Sequence, residues 1–256
     1  MYIDTHCHLT DKRYADIGAV VNELEKYSVN AVITMGCNVL DTEESKTLSK
    51  KYKSVYFGAG IHPSDVNKMK DGDLSKIKDL AMDEKCVCIG EIGLDYYWDK
   101  SYIFAQKDAL IKQIELAKEL KLPISFHSRE ATEDSIKLLK DNKDKLVYGG
   151  VMHCFSGSKE TARELLKLGI KIGVGGTATF KNARNVLEVI DYLSIQDILT
   201  ETDSPYLSPE PYRGKTNEPK NIPIILEFIA KQKNMDIMLA AESVLSNAKS
   251  LFTKLK

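Results

Sequence analysis

The first chemically distinctive feature of the sequence is the pair His6 and His8, in the opening segment Met1-Tyr-Ile-Asp-Thr-His-Cys-His-Leu9. The segment is typical of a short β-strand, in which successive side chains alternate between two faces. His6 and His8 therefore share a face. Two imidazoles on one face at a strand end can supply half of a divalent metal site. A strand-capping histidine beside an ordinary surface histidine would give the same pattern, so further ligands are needed to decide.

The other candidate ligands come at the ends of later apolar segments. These ends read Gly60-Ile-His62-Pro63, Gly90-Glu91-Ile-Gly93-Leu-Asp95, His127-Ser128-Arg129-Glu130, His153-Cys-Phe-Ser156-Gly157 and Glu201-Thr-Asp203-Ser204-Pro205. The chain has 5 histidines, and all of them lie at such ends. Unrelated histidines would be scattered among helices and surface loops, so this placement predicts one shared site. Imidazole nitrogen and carboxylate oxygen together suit Zn²⁺, Mn²⁺ or Mg²⁺.

Apolar segments of strand length alternate with segments of helical periodicity. Strands are predicted near residues 2–5, 31–35, 55–60, 86–90, 123–126, 148–152, 170–174 and 197–200. Helices are predicted near 18–27, 42–52, 104–120, 132–139, 159–168, 183–193, 221–232 and 237–255, the second with Asp41 as its N-cap. Many of the strands are apolar on both faces, which is typical of parallel strands covered by helices.

Eight parallel strands that are each followed by a helix predict an α/β protein with a (β/α)₈ TIM barrel, in a single domain of residues 1–256. A doubly wound open sheet is the alternative, but no Gly-x-Gly-x-x-Gly follows the first strand. In barrels of this kind the active site lies at the carboxyl ends of the strands. The histidines and acidic residues fall at those ends.

The composition is that of a globular protein without a strong charge bias. The 256 residues are 43% hydrophobic and 29% charged, and the formal net charge is −1. This balance excludes the broad basic footprint of a nucleic-acid coat protein but leaves room for a local basic patch or a metal. No segment is apolar and long enough to cross a bilayer, so no membrane partner is expected. Nothing in the sequence indicates an obligate protein partner.

The cysteines indicate a reducing compartment. Their number, 5, is odd, and the chain does not open with the basic segment and apolar run of a secretion signal. We therefore expect reduced thiols and a cytoplasmic location. Cys86 and Cys88 form C-x-C without a second pair, which argues against a structural zinc site. Together with Cys7, Cys37 and Cys154 they are interpreted as small buried side chains.

A bridging carboxylate would allow the predicted site to hold two ions. Two divalent ions ~3.5–4 Å apart can activate a water and also stabilise the leaving oxygen of a hydrolysis. No lysine ends a predicted strand, where a carbamate bridge would need one, and Glu91 can fill that position directly.

Taken as a set, the motifs resemble those of the TatD family of metal-dependent deoxyribonucleases, within the amidohydrolase-like barrels. The matching segments are Asp4-Thr-His-Cys-His8, Gly60-Ile-His-Pro63, Gly90-Glu-Ile-Gly-Leu-Asp-Tyr96, His127-Ser-Arg129, His153-Cys-Phe-Ser-Gly157, Glu201-Thr-Asp-Ser-Pro205 and Arg213-Gly-Lys-x-Asn-Glu-Pro219. They follow the order of the family over residues 4–219, and no ligand position departs from the pattern.

The resemblance implies a role for each matching residue. The metal ligands would be His6, His8 and Asp203 for one ion and His127 and His153 for the other. Glu91 would bridge the two ions, and His62 would lie beside the scissile phosphate. The implied activity is that of a 3′→5′ exonuclease or DNA phosphodiesterase that uses Mg²⁺ or a similar ion. Some related members act on D-aminoacyl-tRNA, so a metal-dependent esterase or D-aminoacyl-tRNA deacylase stays open as the alternative.

Strand parity adds roles for the acidic residues. Asp203 and Glu201 share a face, and Asp203 is interpreted as a ligand and as the proton acceptor from the attacking water. Glu201 is either a carboxylate that orients a ligand or a buried carboxylate bonded to the backbone. Asp4 shares the face of His6 and His8 and is interpreted as orienting a ligand in the same way.

Three more residues are candidates for substrate contacts. Arg129 either clamps a phosphate or forms an ion pair with Glu130 or a helix residue. Arg213 lies in a loop after the eighth strand, where substrate contacts collect, and phosphate binding is preferred there over a solvated surface. Trp98, the only tryptophan, either stacks on a nucleobase or packs against the rim of the barrel.

A protein that binds metal without catalysis is a different class of function. A scaffold of that kind would lack ligands or have a blocked site, whereas the ligand set here is complete. The ligands do not separate a phosphodiesterase from an esterase, because both need the same activated water. A groove lined by basic and aromatic residues would favour a polynucleotide.

Overall fold

Eight parallel strands form one continuous sheet in a computed structural model that describes all residues, 1–256. They follow one another in chain order: β1 (Tyr2–Cys7), β2 (Val29–Met35), β3 (Val55–Ala59), β4 (Cys86–Asp95), β5 (Ile124–Arg129), β6 (Gly150–Met152), β7 (Ile170–Val174) and β8 (Ile198–Thr200). Every neighbouring pair is parallel, as expected for strands joined by helical crossovers.

The sheet closes on itself where its first and last strands meet. Cys7 and Ser204 form a parallel bridge. The His8 amide donates to the Ser204 carbonyl at 2.7 Å, and the Asp203 amide donates to the His6 carbonyl at 2.9 Å. The predicted (β/α)₈ TIM barrel is therefore confirmed, and closure brings the first and last ligand-bearing segments side by side.

A helix follows every strand and covers the outside of the sheet. The helices are α1 (Ile17–Glu23), α2 (Val39–Lys51), α3 (Asp73–Ala81), α4 (Ile103–Leu120), α5 (Thr132–Asp141), α6 (Lys159–Lys167), α7 (Arg184–Tyr192), α8 (Ile222–Gln232) and α9 (Ile237–Leu251). The largest buried apolar cluster, of 44 residues, lies between these helices and the strands. No helix combines the length and the apolar character that a membrane crossing requires.

Two features of the helices differ from the sequence prediction. The pattern does not predict α3, because this short, charged helix buries only Ile77 and Ala81. The N-cap of α2 is Asn38, whose side chain accepts from the Asp41 amide, so the prediction of Asp41 as the N-cap is wrong. The Asp41 carboxylate instead accepts from the Cys37 amide at 2.8 Å and from the Thr10 hydroxyl. It thereby ties the loop after β2 to the loop after β1.

The amino end of the barrel is closed by an apolar cluster. Residues from the first halves of the strands, among them Ile3, Tyr56 and Val87, pack against the end of α9 and the residues that follow it. Phe252 is fully buried there. This floor contributes to stability at the end of the barrel that carries no candidate ligands.

Candidate metal centre

The five histidines converge at the carboxyl end of the barrel. They come from β1, β5 and the loops after β1, β3 and β6, and they lie around the Glu91 side chain of β4. Convergence follows from the fold, because parallel strands direct all their carboxyl ends to one rim. His6 is fully buried, whereas the side chains of His8, His62 and His127 are 12%, 15% and 16% exposed. The centre thus opens to solvent on one side only.

The two oxygens of Glu91 face different sets of imidazoles. Oε2 lies 3.3 Å from His6 Nε2 and 3.6 Å from His8 Nε2. Oε1 lies 2.8 Å from both His127 Nδ1 and His153 Nε2. The Glu91 carboxylate therefore lies between two groups of donors, with one oxygen directed at each group.

Asp203 completes the first group of donors. Its Oδ1 lies 3.4 Å from His8 Nε2 and 3.8 Å from His6 Nε2. Its backbone has a φ of 52°, in the left-handed region that residues with a Cβ rarely adopt. Backbone strain of this kind is retained where surrounding contacts hold it, often at functional sites. Here the barrel closure holds it, through the Asp203 amide and the His6 carbonyl.

His62 stands at the edge of the second group. Its Nε2 lies 3.5 Å from Glu91 Oε1, and its Nδ1 accepts from the Ser64 amide at 3.1 Å. That acceptance places the proton of the neutral ring on Nε2. Burial lowers the pKa of His62 to about 4, so the ring is neutral at pH 7. His62 therefore offers a neutral N–H donor toward the centre.

The charges of the centre reinforce one another. Burial alone would raise the pKa of Glu91, but the surrounding imidazoles, with His153 the largest influence and a hydrogen bond from His127 beside it, outweigh burial and hold the pKa well below its ordinary range. Burial alone would lower the pKa of His153, but Glu91 and Glu201 raise it well above normal. Glu91 is therefore an anion that recruits positive charge, supplied by protons or by metal ions.

The donors fit divalent cations. His6 Nε2 is a buried polar atom without a hydrogen-bond partner, although it is directed at Glu91 and Asp203. Two ligands that share an ion ~2.1 Å away lie roughly 3.0–3.4 Å apart, close to the separations observed here. Imidazole with carboxylate is a donor set that Zn²⁺ and Mn²⁺ accept, and Mg²⁺ accepts its oxygens. The residues therefore suit ions better than a network of hydrogen bonds.

Asp4 and Glu201 take different positions behind the centre. Asp4 accepts from the His6 amide at 3.2 Å and the Thr202 amide at 3.0 Å, so it holds the backbone of β1 against the end of β8. Burial raises its pKa to about 8. Glu201 accepts from the Cys154 amide, as the interpretation of a buried carboxylate bonded to the backbone predicts, and its Oε1 lies 3.6 Å from His153 Nδ1, beyond hydrogen-bond distance.

Asp95 is a residue of the centre to which the sequence, although it places Asp95 in a strand-end motif, assigns no role. Its Oδ2 lies 3.2 Å from His127 Nε2, and hydrogen bonds and the nearby His127 keep its pKa low despite burial. A carboxylate that accepts from Nε2 leaves the lone pair of His127 on Nδ1, the nitrogen that faces Glu91. The sequence predicts that β4 ends at Gly90, but the strand stays extended through Asp95. Asp95 therefore lies in the strand beside His127 and not in a loop.

Two other partners orient imidazoles from behind. His6 Nδ1 lies 3.3 Å from the Ser125 hydroxyl, and His8 Nδ1 lies 3.8 Å from Cys37 Sγ. Burial raises the pKa of Cys37 to about 12, so this sulfur is a thiol at neutral pH. All five cysteines are unpaired, but Cys37 and Cys154 are only half-buried, so the interpretation of all five as buried is wrong for these two.

Gly93 allows β4 to pass close to β5 at the centre. Its φ is +155°, and a Cβ at this position would lie 1.9 Å from the His127 carbonyl oxygen. Gly93 pairs with His127 in the sheet register. Any side chain there would therefore displace the strand that carries His127.

The candidate substrate residues fall in two places. A cavity of about 700 Å³ at the mouth of the barrel is lined by His62, Arg129 and Trp98 together with the donors. Arg213 does not line this cavity; its guanidinium lies 4.3 Å from the centroid of the Phe180 ring, in the loops after β7 and β8. The structure thus brings Arg129, but not Arg213, to the centre.

Comparison with known proteins identifies the family. The family described as "TatD related DNase" matches residues 3–253. YabD of Bacillus subtilis, named an uncharacterized metal-dependent hydrolase, is 41% identical over 253 residues, with 98% of this chain and 99% of that protein covered. A Shigella flexneri protein named 3′-5′ ssDNA/RNA exonuclease TatD is 32% identical over 255 residues, with 97% and 98% covered.

A solved structure gives the same result. The TatD homolog YJJV of Escherichia coli K12 superposes with a TM-score of 0.93 at 30% identity, and the match covers 98% of each chain. Family match, relatives and architecture agree over nearly the whole length. The chain therefore belongs to the TatD family of metal-dependent hydrolases.

Proposed function

We propose that this hydrolase cleaves phosphodiester bonds of DNA as a 3′→5′ exodeoxyribonuclease that uses two divalent ions. The observation that carries the proposal is the divided carboxylate of Glu91, which faces two separate groups of donors. A relative of similar length is named as an exonuclease of single-stranded DNA and RNA, which supports this substrate class.

The residues would share the ions as their grouping indicates. His6, His8 and Asp203 form one group, His127 and His153 form the other, and Glu91 would serve both. When bound, the ions supply an activated water and neutralise charge on the phosphate. Mg²⁺, Mn²⁺ and Zn²⁺ are all compatible with this donor set, and their availability decides between them.

Two side chains at the mouth of the barrel, Asp203 and His62, would accept a proton and donate a hydrogen bond during the reaction. Burial alone would raise the pKa of Asp203, but His8 and neighbouring imidazoles lower it, so the carboxylate is ionised and can accept a proton from the attacking water. His62 can donate from Nε2 to a phosphate oxygen without carrying a charge that competes with the ions. Water adds to phosphorus, the bond to the 3′ oxygen breaks, and that oxygen leaves with a proton as a new 3′ hydroxyl.

The charge of the mouth indicates why ions are required for this substrate. Two fixed cations, Lys12 and Arg129, line the cavity. Six carboxylates oppose them: Asp11, Asp41, Asp65, Glu91, Asp95 and Asp203. A phosphate entering such a cavity would be repelled unless divalent cations reversed the local charge.

The test is the hydrolysis of a 5′-labelled single-stranded DNA oligonucleotide by protein stripped of metal with a chelator. Mg²⁺, Mn²⁺ and Zn²⁺ are added back one at a time, and bound metal is counted by mass spectrometry. We expect a ladder of products shortened from the 3′ end that requires both metal and Asp203. Asp203→Asn is the control, because it keeps the shape of the side chain and removes the proton acceptor.

The same experiment separates the alternatives. Release of a labelled mononucleotide in the first step would overturn the proposed polarity. Binding of fewer than two ions by active protein would overturn the two-ion arrangement. If two ions bind and no DNA or RNA is cleaved, the phosphodiesterase proposal is wrong, and D-aminoacyl-tRNA and simple esters become the substrates to test with the same metals.

A further inference from the structure

We propose that Trp98 is the stacking platform for a nucleobase beside the scissile phosphate, and that Arg129, held on Tyr97, binds the adjoining phosphate. This inference rests on the proposed nuclease function and names residues that determine its preference for nucleotides. It commits to one ligand chemistry, a flat aromatic base joined to an anionic phosphate.

The exposure of Trp98 shows that it does not serve the barrel core. The residue is 70% exposed, and Tyr97 is 47% exposed. A tryptophan that packed a loop against the barrel rim would bury most of its surface. The two rings instead contact each other edge to face, with centroids 4.7 Å apart, and leave the indole open to the mouth. An exposed aromatic pair beside a reaction centre is a candidate surface for an aromatic ligand.

The position of Trp98 places it in the reaction cavity. It lines the same cavity as Glu91, His127 and His153. It also follows β4, the strand that carries Glu91. Asp95 connects the aromatic loop to the centre, because its Oδ1 accepts from the Tyr97 amide at 2.9 Å and its Oδ2 lies 3.2 Å from His127 Nε2. A base on Trp98 would therefore be attached to a phosphate near the donors.

Arg129 supplies the second half of the recognition surface. Its guanidinium carbon lies 3.7 Å from the centroid of the Tyr97 ring and 5.5 Å from that of Trp98. Arg129 forms no ion pair within 4.0 Å, so the predicted alternative of an ion pair with Glu130 or a helix residue is wrong, and its guanidinium lies over aromatic rings instead. Stacking fixes the plane of the guanidinium and leaves its N–H donors free for phosphate oxygens.

The chain offers a direct optical test, because Trp98 is its only tryptophan. Metal-loaded protein is titrated with an oligonucleotide whose phosphorothioate linkages resist hydrolysis, and tryptophan emission is recorded. We expect saturable quenching. An oligonucleotide of the same length and charge, but abasic at its last two nucleotides, should leave the emission nearly unchanged. Equal quenching by both oligonucleotides, or by neither, would overturn the platform.

Kinetics test the platform without its fluorescence. Trp98→Ala should raise KM for the base-bearing oligonucleotide roughly 5- to 150-fold, the range that stacking of one base gives, with kcat changed by less than about twofold. Trp98→Phe retains an aromatic face and should recover most of the loss. Asp99→Asn is the matched control, because this neighbouring exposed carboxylate bonds only to Ser101 and its loss should leave KM unchanged.

The outcomes separate this inference from the nuclease proposal. If wild-type protein and Trp98→Ala cleave base-bearing and abasic oligonucleotides at the same relative rates, the platform is wrong and the nuclease stands. If neither protein cleaves any oligonucleotide with any metal, the nuclease proposal is wrong, and this inference falls with it.

Discussion

The two ends of the barrel strands differ in what they bury. At the amino end, apolar side chains such as Ile3, Tyr56 and Val87 pack against the fully buried Phe252. At the carboxyl end, the same strands bury imidazoles and carboxylates around Glu91. One end gains free energy from packing, while the other holds polar groups that packing cannot satisfy.

The unsatisfied polar atoms show the division most directly. Of the five buried side-chain polar atoms without a hydrogen-bond partner, four lie at the carboxyl end: His6 Nε2, His153 Nδ1, Glu201 Oε2 and Ser204 Oγ. A buried polar atom without a partner lowers the stability of a folded protein unless a bound ion, water or substrate supplies the missing partner. The comparison indicates that the amino end of the strands adds apolar packing to the helix-covered core, whereas the carboxyl end gathers polar groups whose donor atoms suit ions.

The largest expected effect comes from changing Glu91 to Gln. The substitution keeps the shape of the side chain but removes the charge that serves both donor groups, so activity should fall by about 10⁴-fold as metal occupancy is lost. Activity on the oligonucleotide and bound metal are measured together. Glu84→Gln, an exposed change just before the amino end of β4, should leave both unchanged. Wild-type activity and metal content in Glu91→Gln would remove the basis of the site assignment.

The reciprocal change at the other end is Phe252→Ala. Deleting a fully buried ring should lower the free energy of unfolding by about 3–5 kcal/mol, because the cavity left behind cannot collapse completely. Unfolding in urea measures this loss on metal-free protein, and kcat at 25 °C should stay within about twofold. Leu239→Ala, on the exposed face of α9, should change stability by less than ~0.5 kcal/mol. A large loss of kcat in folded Phe252→Ala would contradict the separation of the two ends.

The sequence predicts the strands of the barrel and the ligands at their carboxyl ends for the same reason. Apolar segments of strand length are regular along the chain, and the barrel rule places whatever follows them at one rim. His6, His62 and His153 could therefore be assigned to one site without coordinates. The contacts that orient the ligands depend on how neighbouring strands are aligned, which the sequence does not reveal. The pairing of Gly93 in β4 with His127 in β5 is one example.

The end of β4 shows why the remainder was missed. Polar residues and glycines after Gly90 indicate a loop, yet the backbone stays extended to Asp95, and all ten residues of the strand are buried. The polar side chains are tolerated because imidazoles from other strands pair with them, as His127 does with Asp95. A partner contributed by a strand more than thirty residues away leaves no signal in the local pattern. For Arg129, too, only the structure distinguishes stacking on Tyr97 from an ion pair.

A smaller effect is expected from Asp95→Asn, which tests whether the Asp95 carboxylate orients the proposed ligand His127. The amide can still accept from the Tyr97 amide, but it no longer stabilises the N–H of His127 with a charge. Loss of such a supporting carboxylate costs about 10- to 100-fold in metal affinity or activity. Metal titration measures the affinity, and Phe252→Ala serves as a control that weakens the fold without touching a ligand. Unchanged metal affinity in Asp95→Asn would show that Asp95 only shapes the loop.

The smallest effect is the pH dependence of metal binding. Protons and metal ions compete for the same imidazoles, all of which lie at the carboxyl end of the barrel. In metal-free protein Glu91 and Glu201 outweigh burial and hold the pKa of His153 well above normal, so this imidazole carries a proton at pH 7. A binding ion must displace that proton, so apparent affinity should fall about tenfold per unit of decreasing pH for each proton released. Calorimetric titration with Mn²⁺ in buffers of different ionisation enthalpy counts the protons. Phe252→Ala should release the same number, because all five histidines lie at the other end of the barrel. A binding enthalpy that did not depend on the buffer would show that the histidines are neutral before the ions arrive.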